Sequence, residues 1–140
     1  MPFDPRLDEV YEAIKCAVES DPWNFVCRRA DDFFRGGHLL ADVLRGIGEA
    51  QSIIADLTGR NPNVFYELGI AHMVKQPSKI VLLTRDTGSL PFDVQSFRCI
   101  QYTQTIQAAK KLQEDIRRAL NEVAHPGLRL HRGPEAGIRV

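Results

Sequence analysis

The stretch Ser52-Ile-Ile-Ala-Asp-Leu-Thr-Gly-Arg-Asn-Pro-Asn-Val-Phe-Tyr-Glu-Leu-Gly69 decides how this chain is read. Ser52 to Ala55 is a short apolar run that ends on Asp56, the pattern of a buried strand. Asn61-Pro62 follows, with Asn at a favoured N-cap and Pro at a favoured first helical position. The sequence therefore predicts strand, tight turn and helix over 52–75. Ile80-Val-Leu-Leu-Thr84 then supplies a continuous apolar run of the kind a parallel sheet buries on both faces.

Outward from this unit the same alternation holds. Leu7, Val10, Ile14 and Val18 recur at helical spacing over 5–20, and Asp21-Pro22 stops that helix. Trp23 to Cys27 is a short β-prone run, and 28–37 is polar and glycine-marked, as a loop would be. Leu40, Val43 and Ile47 share one face of a helix expected over 39–50. A loop over 85–96, a strand over 98–102 and a long helix over 105–123 complete the pattern. Strands alternating with helices predict an α/β fold, a flavodoxin-like, doubly wound three-layer domain with a parallel sheet.

The beginning of the chain does not fit that scheme. Met1-Pro-Phe-Asp4 leads straight into a helix, whereas the first strand of a doubly wound fold lies in the middle of the sheet. The first strand is thus largely missing. Either a strand lies outside this chain, or the gap is filled by the tail or by another chain. We take 1–123 as the domain and 124–140, rich in Gly and Pro, as a flexible tail. The alternative is that 128–130 or 138–140 pairs along an exposed edge.

Composition bounds the functional classes. The 140 residues suffice for one core, and 18 basic residues balance 18 acidic ones. That balance gives no strong nucleic-acid signal. No apolar run approaches the roughly 20 residues of a membrane helix, and no secretion signal opens the chain, so a cytoplasmic setting is expected. Cys16, Cys27 and Cys99 form no Cys-x-x-Cys pair and read as buried free thiols. The four histidines show no metal-ligand spacing, there is no dinucleotide or Walker loop, and neither metal nor cofactor is expected.

Glu67 is the chemically conspicuous residue. On a helical wheel with Val64 at zero, Ala71 falls near −20°, Leu68 near +40° and Glu67 near about −60°. A carboxylate inside an apolar arc is costly unless it is paired or used. The nearby helix N-terminus favours its charged form while burial favours the neutral one. Such a group can act as a nucleophile or as an acid/base, or can be a structural glutamate bonded to backbone or arginine. Ligands of open parallel sheets bind beyond the carboxyl ends of the strands. Asp4, Arg29, Asp31, Asp32, Asp56, Thr58, Gly59, Arg60, Asn61 and Asn63 all follow predicted strands. Each could equally be a capped turn or a solvated loop residue. Gly59 reads as a tight turn or a positive φ, and His72 as a histidine at the edge of the core.

The segment Asp56 to His72, with its Asn-Pro-Asn-x-x-Tyr-Glu-Leu-Gly core, resembles the signature of the nucleoside 2-deoxyribosyltransferase-like superfamily. That group is structurally akin to the Toll/interleukin-receptor (TIR) domains that cleave NAD. The likeness covers most of 1–120, with Met1-Pro-Phe-Asp4, Arg29-Ala-Asp-Asp32 and Pro91-Phe-Asp93 fitting the same layout. It implies Glu67 as nucleophile, Asp56 as its assistant at the base or sugar, and Pro2, Phe3 and Asp4 as substrate-facing residues. Arg29 or Arg60 could pair with a phosphate. The activity implied is cleavage or transfer of an N-glycosidic bond of a nucleoside, nucleotide or NAD. The alternatives are a non-catalytic, TIR-like nucleotide-sensing module and a phosphorelay receiver with Asp56 as phosphoacceptor. A receiver would need an acidic pair after the first strand and a lysine after the fifth, and no lysine follows Tyr102 before Lys110. A homo-oligomer is expected from the strand edge left by a missing strand.

Overall fold

The computed structural model describes residues 5–20, 25–29, 40–86, 88, 97, 99–103, 105–124 and 137–139. Alternation of apolar runs and amphipathic helices produces the order α1 (Pro5–Glu19), β1 (Val26–Arg28), α2 (Leu40–Glu49), β2 (Ser52–Asp56), α3 (Pro62–Val74), β3 (Ile80–Thr84), β4 (Cys99–Gln101), α4 (Ile106–Ala124) and β5 (Gly137–Arg139). One-turn 3₁₀ segments at Thr58–Arg60 and Pro77–Lys79 flank α3. Every strand pair is parallel, so the fold is α/β with a parallel sheet, in the order β1-β5-β2-β3-β4.

Two cores lie on the two faces of β2 and β3, because successive side chains of a strand point to opposite sides. Ile54, Val81 and Leu83 meet α1 and α4 through Val10, Ile14, Val18, Leu112, Ile116 and Leu120. Ile53, Ala55, Ile80 and Leu82 meet α2 and α3 through Val43, Ile47, Leu68 and Ala71. Burial on both faces explains why Ile80 to Thr84 is apolar almost throughout.

Several local expectations are corrected. Leu40 does not join the packed face of α2. It stands exposed at the first helical position, and Val43 and Ile47 are the residues that α2 buries. Of the three thiols only Cys27 is buried. Cys99 is half-buried and Cys16 is exposed, because it falls between the apolar positions of α1. Val74, in the last turn of α3, is also exposed.

The C-terminal segment supplies a strand inside the sheet. Ile138 pairs with Cys27 of β1 and with Ser52 of β2, so β5 lies between those two strands and parallel to both. The tail therefore contributes an interior strand, not one laid along an exposed edge. Within the described sheet, β1 is joined to the other strands only through β5. The expectations placed on Met1 to Asp4, on Asp31 and Asp32, on 89–96 and on 128–130 lie outside the described residues.

Candidate functional site

All strands run the same way, so Arg28, Asp56, Thr84 and Gln101 end at one edge of the sheet. Two bonds carry the ladder past the strand ends. The Leu57 N–H donates to the Leu83 carbonyl at 2.8 Å, and the Tyr102 N–H to the Thr84 carbonyl at 3.1 Å. These fix where the chain leaves β2 and β4, and a polar cluster forms between the two exits.

Asp56 is its centre. Strand alternation directs Asp56 to the same side as Ile54, toward α1 and α4. Its Oδ1 accepts the Thr58 N–H at 3.0 Å, and its Oδ2 accepts the Tyr102 hydroxyl at 2.5 Å. Thr58 Oγ1 accepts the Arg85 N–H at 3.0 Å and lies 3.4 Å from the Tyr102 hydroxyl. The Gly59 N–H donates to Asp86 Oδ2 at 2.9 Å, and the Asp86 N–H to the buried Thr84 Oγ1 at 3.0 Å. The Arg85 guanidinium stands 5.9 Å from the centroid of the Tyr102 ring. Burial, and then the adjacent Asp56 charge, push the Tyr102 phenol well above its ordinary range. The same two causes in the same order raise the Cys99 thiol. Tyr102 thus stays protonated and donates, which holds the Asp56 carboxylate in one orientation.

The turn from this cluster into α3 is held by backbone geometry. Gly59 has φ +74° and Arg60 φ +51°, two successive left-handed residues that reverse the chain within one turn. Asn61 then caps α3, its Oδ1 accepting the Asn63 N–H at 2.9 Å, with Pro62 at the first helical position. Asn63 and Arg60 themselves face solvent. Glu67 follows in the second turn of α3 and is half-buried. The packed face of the helix is centred on Leu68 and Ala71, so Glu67 flanks the apolar arc and is not at its middle. His72, on the other flank, stacks on Phe97 with ring centroids 4.2 Å apart and planes 16° from parallel. Burial lowers the His72 pKa.

The expected site residues therefore fall into three groups. Asp56, Thr58 and Gly59 are brought together, and Tyr102, Thr84, Arg85 and Asp86 join them. Glu67 rises from α3, on the opposite face of the sheet from the helices that Asp56 faces, so the two carboxylates can share a ligand only over the sheet edge. Arg29 is held elsewhere along that edge, bonded to Asp8 of α1 at 2.5 Å with its guanidinium 5.3 Å from the Tyr11 ring centroid. Its side chain is largely buried there while Asp8 is exposed. Tyr102 was the residue sequence reasoning missed. The available signal was an aromatic with a polar tip at the carboxyl end of the strand expected over 98–102, where ligands bind.

Among the described residues no group of three or more His, Cys, Asp or Glu side chains could hold a metal ion, and no helix is long and apolar enough to cross a membrane. No protein-family model, curated protein or solved structure matches the chain.

Proposed function

We propose that this chain cleaves or transfers an N-glycosidic bond of a nucleoside, nucleotide or NAD, with Glu67 as nucleophile. The reading rests on the resemblance of 56–72 to the nucleoside 2-deoxyribosyltransferase-like superfamily. The structural observation that carries it is the way this segment leaves the sheet. Asp56 is oriented by two hydrogen bonds at the carboxyl edge of β2, and the Asn61-capped helix begins one turn later with Glu67 in its second turn.

In the proposed reaction a Glu67 carboxylate oxygen attacks the anomeric carbon and the bond from that carbon to the base nitrogen breaks. The base leaves with the electron pair; a neutral nucleoside base then takes up a proton, whereas the cationic nicotinamide ring of NAD becomes neutral by taking the electron pair alone. Water or a second base then displaces Glu67 from the sugar, which restores the carboxylate. Asp56 accepts hydrogen bonds at both oxygens and retains further lone pairs, which suits it to orient a donor on the sugar or base. For a phosphate-bearing substrate Arg60, which follows the Gly59 turn, is the cation proposed, since Arg29 is engaged by Asp8 elsewhere along the edge.

The strand order supports a flavodoxin-like, doubly wound assignment. With β5 counted in the place of the first strand, β1-β5-β2-β3-β4 becomes the order 2-1-3-4-5. A cytoplasmic setting and a pocket completed by a second copy belong to the same proposal.

The alternative is a TIR-like module that binds a nucleotide without turnover. The deciding experiment is chromatography of deoxynucleosides, nucleotides and NAD after incubation with wild type and with Glu67→Gln. Base or nicotinamide released by wild type alone supports the glycosidic reaction. Saturable binding without release supports the sensing module. Equal release by both proteins overturns the role of Glu67.

A further inference from the structure

Beside Tyr102, α1 and α4 do not close completely. A cavity of about 370 Å³ lies between their N-terminal halves. That is within the size range of small-molecule sites. Its walls include Val10, Ala13, Leu112 and Tyr102, all buried residues of the α1/α4 core, together with Ala109 and the hydroxyl-bearing Thr103 and Thr105. Alanine at both 13 and 109 leaves the space, since neither side chain reaches across it. The Glu9 carboxylate is the one charged group of the lining, and Glu9 is exposed. Ile106, also in the lining, is 87% exposed.

We propose that this cavity binds a small, neutral, flat ring molecule carrying one hydrogen-bond donor, with the ring against Tyr102 and Leu112 and the donor toward the Glu9 carboxylate. The apolar walls disfavour any charged ligand, and Glu9 disfavours anions in particular. The acceptor-only carboxylate selects a ligand with an N–H or O–H over an isostere that lacks one. Ile106 borders the cavity as well. The site is separate from Glu67, which stands on the helix of the opposite face, and it does not depend on the glycosidic reading. It meets the Asp56 cluster through Tyr102, which lines the cavity and donates its hydroxyl to Asp56.

The test uses indole as probe and indene as its isostere without the N–H, titrated into the full chain and followed by NMR. Indole should bind saturably and about tenfold more tightly than indene, the discrimination expected of one hydrogen bond to a charged acceptor. Intermolecular NOEs should run from indole to the Tyr102 ring and the Leu112 methyls. Ala109→Trp should abolish binding, and Ala13→Leu, a milder filling, should do the same if the first variant fails to fold. Glu9→Leu should remove the preference for indole over indene. Absence of saturable binding to wild type, NOEs to other residues, equal affinity for the two probes, or binding unchanged by a folded filling variant would each overturn the proposal.

Discussion

Tyr102, just beyond β4, donates its hydroxyl to Asp56 Oδ2, at the end of β2, across 46 residues of chain and over the intervening strand β3. The bond ties the carboxyl ends of two non-adjacent strands. It also leaves a buried phenol against a carboxylate, so the proton of Tyr102 is part of the folded structure.

Replacing Tyr102 by Phe removes the donor and leaves Asp56 Oδ2 short of a partner. The expected loss is about 1.5–3 kcal/mol, the range for a hydrogen bond to a charged group, measured by denaturant unfolding at neutral pH. The pH dependence gives a sharper test. The folded pKa of Tyr102 is raised above the unfolded value of 10.0. Its stabilisation is therefore fully present below pH 10 and is lost as pH rises through the folded pKa. Wild type should lose stability progressively above about pH 10, and Tyr102→Phe should lack that part of the decline. Parallel alkaline limbs in the two proteins would contradict the geometry.

His72 works in the opposite direction. Burial favours its neutral form and lowers its pKa from 6.5. Between the folded pKa and 6.5 the unfolded chain binds more protons, so stability rises with pH there. The His72 contribution is present above pH 6.5 and is lost as pH falls through the folded value. His72→Phe, which keeps a ring against Phe97, should flatten the acid limb of the stability profile below about pH 6.5. An unchanged acid limb would place the His72 titration in solvent.

Two glycines separate backbone conformation from space. Neither Gly59 nor Gly69 has an atom within 4 Å of where a Cβ would stand. Gly59 has φ +74°, so Gly59→Ala should destabilise by about 1–2 kcal/mol through backbone strain alone. Gly69 lies within α3 and faces solvent, so Gly69→Ala should stabilise by about 0.5–1 kcal/mol. Thermal unfolding of the two variants should shift in opposite directions. A shift of the same sign would mean that one of these environments is misread.

The C-terminal strand should be what holds β1 in the sheet. The Cys27 N–H points away from the sheet, to Glu19 Oε1 at 3.1 Å, so strand alternation turns the N–H groups of Val26 and Arg28 toward β5. Truncation after Ala124 should lower hydrogen-exchange protection of Val26 and Arg28 by on the order of a hundredfold. The amides of Ala55 and Leu83, which strand alternation turns across the β2–β3 pair, should stay protected. Retained protection at Val26 and Arg28 would show that β1 does not depend on β5.

What the sequence by itself determined is local. The apolar run Ile80 to Thr84, the Asn61-Pro62 cap and the spacing of Val10, Ile14 and Val18 specify their elements because each signal acts between residues a few positions apart. The same reach covers the turn at Gly59 and the place of Asp56 at a strand end. The tertiary structure decided which distant residues complete those elements. Nothing near Asp56 in sequence announces Tyr102, and nothing near Cys27 announces Ile138. Strand order and pairing depend on free-energy differences summed over the whole sheet, and a three-residue strand such as Gly137–Arg139 has too little pattern of its own to reveal that it lies between two others.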